Sequence, residues 1–307
     1  LASLLASCTN TTIDHITRGD AFMARGQWQE AITEYNRSIQ KNPGVAEVYY
    51  QRGIAYRNSG SHDAAIADLN RTIELSPSFA RAYVARALTY SLLNKLELAM
   101  QDMDSAINLD GLVAKDVEPG MELAYYRLGK AYHQQGRNIN AVAFLSKSIQ
   151  LQPQMTEAYL ERSRVYSFNG WPDLVIADLT KAINLDPGLA PAYSLRGNAY
   201  INKNEFNLAL ADLNKAISLD PSLAEAYCNR GWVYYQINDF ASAVSDLHIA
   251  ILRDPTSALS YYYRGMLYQA EGKNDPAIAD LRKAQELAAD SKLTGKIEQA
   301  LAALTGK

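Results

Sequence analysis

Four histidines and two cysteines are the side chains in this sequence best suited to ligate a metal or act as a nucleophile. His15, His62, His133 and His248 lie far from one another, and none has a second ligand at the short helical spacing that metal motifs use. Cys8 and Cys228 are too few and too distant for a disulfide framework. A lone cysteine such as Cys228 is inert unless a neighbour stabilises its thiolate. There is no glycine-rich phosphate loop and no G-x-S-x-G elbow. The sequence therefore assigns no catalytic residue, metal or cofactor, and predicts a protein that is not an enzyme and has no small-molecule substrate.

Charged side chains recur in a pattern instead. Arginine appears as Arg18, Arg52, Arg86, Arg162, Arg196, Arg230 and Arg264, and an acid stands sixteen residues after each: Glu34, Asp68, Asp102, Asp178, Asp212, Asp246 and Asp280. One copy breaks both rules together, with Leu128 and Phe144. An anion-binding ladder of arginines would not require the acid to vanish with the base. A buried ion pair would, because stranding one partner is costly whereas replacing both is nearly neutral. The pairs Arg52–Asp68, Arg196–Asp212 and Arg230–Asp246 are thus read as structural.

The element that positions them is a repeat. Ala-Tyr-x-x-Arg-Gly-x-x-Tyr occurs at Ala192–Tyr200 and Ala226–Tyr234, and Pro43, Pro77, Pro153, Pro187, Pro221 and Pro255 fall in a register of 34 residues. The units are 12–45, 46–79, 80–113, 122–155, 156–189, 190–223, 224–257 and 258–291, with an interruption at 114–121 that divides them three plus five. Within a unit, positions 4, 7, 8 and 11 form one stripe at helical spacing and positions 20, 24 and 27 another, which predicts two helices. Position 15 is Gly or Asn in every unit, the residues that tolerate the left-handed backbone ending a helix. Residues 291–307 carry Ile297, Ala300, Leu301 and Leu304 at helical spacing and read as a helix capping the last unit's apolar face.

This pattern resembles the tetratricopeptide repeat, TPR, over residues 12 to 291. The resemblance implies an all-α, right-handed solenoid of eight helix pairs, whose first helices line a concave groove that binds a partner protein or peptide. The Lys and Asn set of the chaperone-binding carboxylate clamp is not reproduced in any three adjacent repeats.

Composition points to the groove residues. The 307 residues hold 48% hydrophobic and 21% charged side chains and a net charge of −3, which fits a globular protein and gives no footprint for nucleic acid. Tyrosine is in excess, 20 against 6 Phe. Positions 4 and 11 absorb most of it. After those and Tyr35, the surplus is Tyr50, Tyr126, Tyr235, Tyr262 and Tyr263. These fall on or beside a stripe at positions 2, 5, 9 and 12, the stripe that faces the groove in TPR proteins. Trp232 joins it, as do Lys130 and the amides Asn198, Asn202, Asn229 and Gln236. Aromatic rings beside amides suit an extended peptide with apolar side chains; the competing reading is that they cover neighbouring helices. Trp28 and Trp171, at the starts of second helices, read as packing residues.

The chain begins Leu1 rather than Met, so its start is read as missing or processed. Leu5-Ala6-Ser7-Cys8 after an apolar run resembles a bacterial lipobox, which implies acylation of Cys8 and anchoring of residues 12–307 to a membrane of a cell envelope through the short 1–11 tether. The functional expectation is a non-catalytic, lipid-anchored scaffold assisting assembly of a multiprotein complex. The alternative is a cytoplasmic adaptor or regulatory subunit that recruits an enzyme or chaperone.

Overall fold

The left-handed residue at position 15 sets the local geometry of each repeat. Gly60 at φ 83° and Asn94 at φ 58° are two of the eight such residues, and each turns the chain between two helices. Asn or Gly is needed there because a Cβ-branched side chain would clash in this backbone region. A computed structural model describes residues 14–111, 121–289 and 291–305; Cys8 and residues 114–120 lie outside them. Helix α1 covers 14–24. It is followed by α2 (Trp28–Lys41), α3 (Ala46–Asn58), α4 (His62–Leu75), α5 (Ala80–Leu92), α6 (Leu96–Leu109), α7 (Glu122–Gln134) and α8 (Asn138–Leu151). Next come α9 (Thr156–Phe168), α10 (Pro172–Leu185), α11 (Ala190–Asn202), α12 (Phe206–Leu219) and α13 (Ala224–Gln236). The last are α14 (Phe240–Arg253), α15 (Ala258–Ala270), α16 (Asn274–Leu287) and α17 (Ser291–Thr305). No strand occurs among the described residues.

Glycine at position 8 lets the two helices of a repeat close on each other. A Cβ on Gly197 would stand 2.8 Å from Leu213 Cγ, and one on Gly231 2.8 Å from Leu247 Cγ. Leu69, Leu145, Leu179, Leu213, Leu247 and Leu281 are wholly buried at position 24, with alanine at position 20 beside most of them. Each burial of a leucine contributes about 2 kcal/mol of transfer free energy.

The chain forms two compact units, Leu1–Ala158 and Tyr159–Lys307. The boundary lies in α9, and residues 114–120 of the expected interruption lie outside the described residues. Helices α5 and α6 both pack on α7, so the third and fourth helix pairs stack directly. A specific linkage replaces the regular one at this junction. Arg137 reaches back with both terminal nitrogens to Asp104, at 2.6 and 2.7 Å, and the Tyr132 hydroxyl donates to the same carboxylate at 3.1 Å. Arg127 adds hydrogen bonds to the Ser91 and Leu92 carbonyls at the end of α5.

Elsewhere the recurring arginine does this work. Arg196 donates from Nε and Nη2 to the two oxygens of Asp212 at 2.7 and 2.8 Å, and from Nη1 to Thr180 Oγ1 of the preceding repeat at 3.0 Å. Arg52–Asp68, Arg86–Asp102, Arg162–Asp178, Arg230–Asp246 and Arg264–Asp280 have the same two-pronged bond. The third prong of Arg86 reaches Asn70 and that of Arg230 reaches Asn214, each at 2.6 Å. One side chain thereby joins three helices. The tyrosines at positions 4 and 11, one turn to either side, lay their rings against the guanidinium: Tyr227 and Tyr234 lie 5.6 and 5.8 Å from Arg230. This cation–π contact accounts for most of the tyrosine excess.

Two repeats differ. In the fourth, Phe144 replaces the acid and stacks on Tyr125 and Tyr132 at 6.3 and 5.3 Å, so ring packing takes over where the ion pair is missing. In the first, the expected Arg18–Glu34 pair does not form. Arg18 binds Asp14 at 2.7 Å on an exposed helix turn. Glu34 is taken by His15 Nδ1 at 2.7 Å and by Arg37. The cause is His15 at position 4: an imidazole there bonds the carboxylate directly, where a tyrosine ring would only flank it.

Replacing Arg196 by Leu strands the buried Asp212 and is expected to destabilise the chain by about 3–5 kcal/mol. The double change Arg196→Leu with Asp212→Phe copies the fourth repeat, and Tyr193 and Tyr200 are already in place to stack on the new ring. It should recover a large part of that loss in urea melts. A double mutant at or below the sum of the two singles would overturn this account of the pair.

Candidate functional site

The second unit carries most of the sequence-predicted groove residues. Its first helices pack on one another, α11 with α13, α13 with α15 and α15 with α17. Among the described residues, no comparable packing joins α12 to α14 or α14 to α16. A stack whose first helices touch and whose second helices splay is curved with the first helices inside. The concave side of this unit is thus made by α11, α13 and α15.

Position 5 does not face that concavity, contrary to the expected stripe. Ser194 is wholly buried, Cys228 is 3% exposed and Tyr262 is 9% exposed. Position 5 points along the stack and closes the seam against the next first helix. Tyr262 belongs to the cluster of Leu281, Ala284, Ile297 and Ala300, so it is covered by α17 and is not a groove residue. Cys228 packs with Leu247 and Leu267, and burial pushes its thiol up to about 12, the nearby Ser260 hydroxyl acting the other way. It is an apolar filler at neutral pH.

The open stripe runs instead through positions 2, 6, 9 and 13, which are Glu225, Asn229, Trp232 and Gln236 on α13 and Pro191, Leu195, Asn198 and Asn202 on α11. Asn202 and Gln236 are exposed, and Asn202 donates to Asn198 Oδ1 at 3.3 Å along the helix. Glu225 is accessible to solvent yet hemmed in by protein; this desolvation holds its carboxyl above the usual carboxylate range, while Arg164 of α9 draws it back. Asn229 lies at the floor, 3% exposed, and its Nδ2 has no hydrogen-bond partner. Gln269 Oε1, one repeat on, is likewise buried and unpartnered.

Trp232 is partly buried in a run of rings. It stacks on Tyr263 of α15 at 4.3 Å with planes 16° apart, and on Tyr235 at 5.0 Å; Tyr235 continues to Phe240 at 6.0 Å. The indole therefore ties α13 to α15.

The remaining expected residues belong to the first unit. Tyr50 packs on Phe79 at 5.0 Å and borders the Leu69, Ala82 and Ala85 cluster, so it serves helix packing. Tyr126 is half-buried on α7 and Lys130 is exposed on the same helix. The structure thus brings together Asn198, Asn202, Asn229, Trp232, Tyr235 and Gln236. Sequence reasoning missed the third prong of the arginines, although Asn36, Asn70 and Asn214 recur at position 25 and signal it. Trp171, expected as a packing residue, packs at a tilt on Tyr166 at 5.9 Å and leaves 48% of its surface exposed.

Because Trp232 bridges two helices, Trp232→Ala should lower stability by about 2 kcal/mol. A thermal melt checks this; an unchanged midpoint would leave the indole with no role in holding α13 to α15.

Profiles described as TPR repeat match residues 19–60 and 197–238. Others described as tetratricopeptide repeat match 46–79, then 80–111, 123–155 and 156–189, and 228–292. No curated protein sequence matches the chain. Among solved structures, a thermophilic TPR protein from Thermus thermophilus is 23% identical with a TM-score of 0.52, over 59% of this chain and 98% of that one. A tetratricopeptide repeat protein from Parabacteroides merdae is 17% identical with a TM-score of 0.53, over 85% and 99%. The Cut9–Hcn1 hetero-tetramer of the APC/C is 16% identical with a TM-score of 0.54, over 94% and 55%. These likenesses concern the fold alone. With the repeat profiles running from residue 19 to residue 292 and the helix pairs in place, the chain belongs to the tetratricopeptide-repeat family.

Proposed function

We propose that the protein is a non-catalytic scaffold whose second unit holds an extended segment of a partner protein on the concave side of α11, α13 and α15. One observation carries this reading: the Asn229 amide donor, buried and unpartnered at the floor of the open stripe. A buried polar group without a partner costs about 1–3 kcal/mol. A main-chain carbonyl of a bound peptide would satisfy it once the amide turns outward from the floor. Asn198, Asn202 and Gln236 offer further donors and acceptors along the same stripe, and the half-buried rings of Trp232 and Tyr235 suit apolar side chains of the ligand. Glu225 would meet a cation.

The finer reading is that this scaffold is tethered to a membrane of a bacterial envelope through acylated Cys8 and assists assembly of a multiprotein complex there. Its support is the Leu5-Ala6-Ser7-Cys8 sequence. The second reading, an adaptor or regulatory subunit without an anchor, has the same groove and differs only in the tether.

Asn229→Leu separates folding from binding. Removing the orphan donor should leave stability unchanged or raise it, whereas affinity for peptides selected on the wild-type protein from a displayed random library should fall at least tenfold. Unchanged affinity would overturn the assignment of the floor. For the tether, the product of the full gene expressed in a bacterium should enter the detergent phase and Cys8→Ser should remain in the aqueous phase. Identical partition of the two would remove the anchor.

A further inference from the structure

The turns between first and second helices line one edge of the second unit, and the fifth repeat is unlike the others there. Position 16 is polar in seven repeats (Gln27, Ser61, Lys95, Arg137, Glu205, Asp239 and Lys273) but Trp171 in the fifth. Position 13 is an amide in four others (Asn58, Gln134, Asn202 and Gln236) and Ala24, Leu92 or Ala270 in three; only here is it an aromatic, Phe168. Polar residues are favoured at the start of a helix, and the scaffold uses this tryptophan only for a tilted contact with Tyr166 at 5.9 Å. Phe168 is 77% exposed and the free side of Trp171 leaves it 48% exposed, with Leu174 at 45% and Leu208 of the next repeat at 49%. Phe168, Trp171, Pro172 and Val175 wall a cavity of about 310 Å³ that Ala199 and Asn202 of α11 close on the far side. Exposed aromatic rings walling a pocket are the form of an interaction site.

Its surroundings are acidic. Along this edge in repeats five to eight stand Asp173, Glu205, Asp239, Glu271 and Asp275, against Lys203 and Lys273. Lys203 is already engaged, bonding Asp173 at 2.8 Å and Glu205 at 3.1 Å. The equivalent positions of the first four repeats are balanced, with Arg25, Lys95 and Arg137 against Glu30, Asp63 and Glu97. The apolar patch and the excess of carboxylates therefore coincide on one edge of one unit. An anionic lipid surface would be repelled by it, and so would a second copy presenting the same acidic edge; a cationic partner would be drawn to it.

We infer that this edge is a second docking surface, meeting the concave stripe at Phe168 and Asn202, for a basic amphipathic segment of another protein, one large apolar side chain of which fills the cavity between Phe168, Trp171 and Val175. Lysines or arginines of the segment would lie over Glu205 and Asp239.

The test uses the full chain and a fluorescent 18-residue amphipathic peptide of leucine and lysine, with a leucine–glutamate peptide of the same pattern as control. The lysine peptide should bind at least tenfold more tightly than the glutamate peptide, and less tightly as salt rises. Trp171→Ser should weaken it at least tenfold, as should Glu205→Lys with Asp239→Lys; all these side chains are accessible, and circular dichroism checks that the helices persist. Gln236→Ala, on the concave stripe, should leave this binding unchanged, so failure of the groove reading and of this one are told apart. Equal affinity for the two peptides, or affinity unaffected by Trp171→Ser, would overturn the proposal. So would Trp171-dependent binding to phosphatidylglycerol vesicles or Trp171-dependent dimerisation, which would give the edge to another occupant.

Discussion

The two-pronged bond between an arginine on a first helix and an aspartate on its second is the constraint on which the rest of this structure depends. A helix pair with one apolar stripe on each member can slide or rotate. A guanidinium gripping both oxygens of a carboxylate 16 residues away fixes rotation and height together, since its fork is planar and its bond directions are rigid. In Arg196, Arg230, Arg86 and Arg52 the remaining prong reaches the preceding repeat as well. The same side chain therefore sets the geometry inside a repeat and between repeats. The tyrosines to either side screen the charges from water and leave the ion pair less free to break.

Departures from this device show what it supplies. The fourth repeat has no arginine to reach backward, and there Arg137 and Asp104 make the inter-repeat link from other positions. Asp104 stands where Asn36, Asn70 and Asn214 stand elsewhere, so the acceptor gained a charge where the donor moved. The first repeat exchanges the arginine bond for a histidine one. In all cases something polar and directional, or a tight ring stack, spans the two helices; hydrophobic burial alone is never left to fix the angle.

Because first helices are held close and second helices are not, the second unit curves and its two candidate surfaces are divided. The concave side carries amides, a desolvated glutamate and half-buried rings, a surface suited to main-chain groups. The turn edge carries the exposed Phe168 ring and the half-exposed Trp171 beside carboxylates, suited to side chains. Neither demands anything of the staple residues, which lie between the helices. Repeat architecture thus separates residues that hold the fold from residues free to vary with the partner.

The sequence by itself determined the repeat, its turns, the Arg–Asp pairing and the terminal helix at Ser291–Thr305, because each follows from periodicity and from contacts within a single 34-residue unit. A covariation such as Leu128 with Phe144 is visible without coordinates because both partners belong to one copy. Only the tertiary structure decided what lies between copies. Tyr262 carries the right residue type for a groove, yet α17 covers it, while Asn229 sits at the floor of the open stripe, 3% exposed. Whether position 5 or position 6 faces the concavity depends on a rotation of about 100° about the helix axis, the angle between successive residues. That rotation is set by how one repeat seats on the next, a relation no single repeat encodes. Trp171 escapes a sequence reading for the same reason: a ring at a helix start packs or projects according to the distance of the following turn, and here the following turn leaves a cavity beside it.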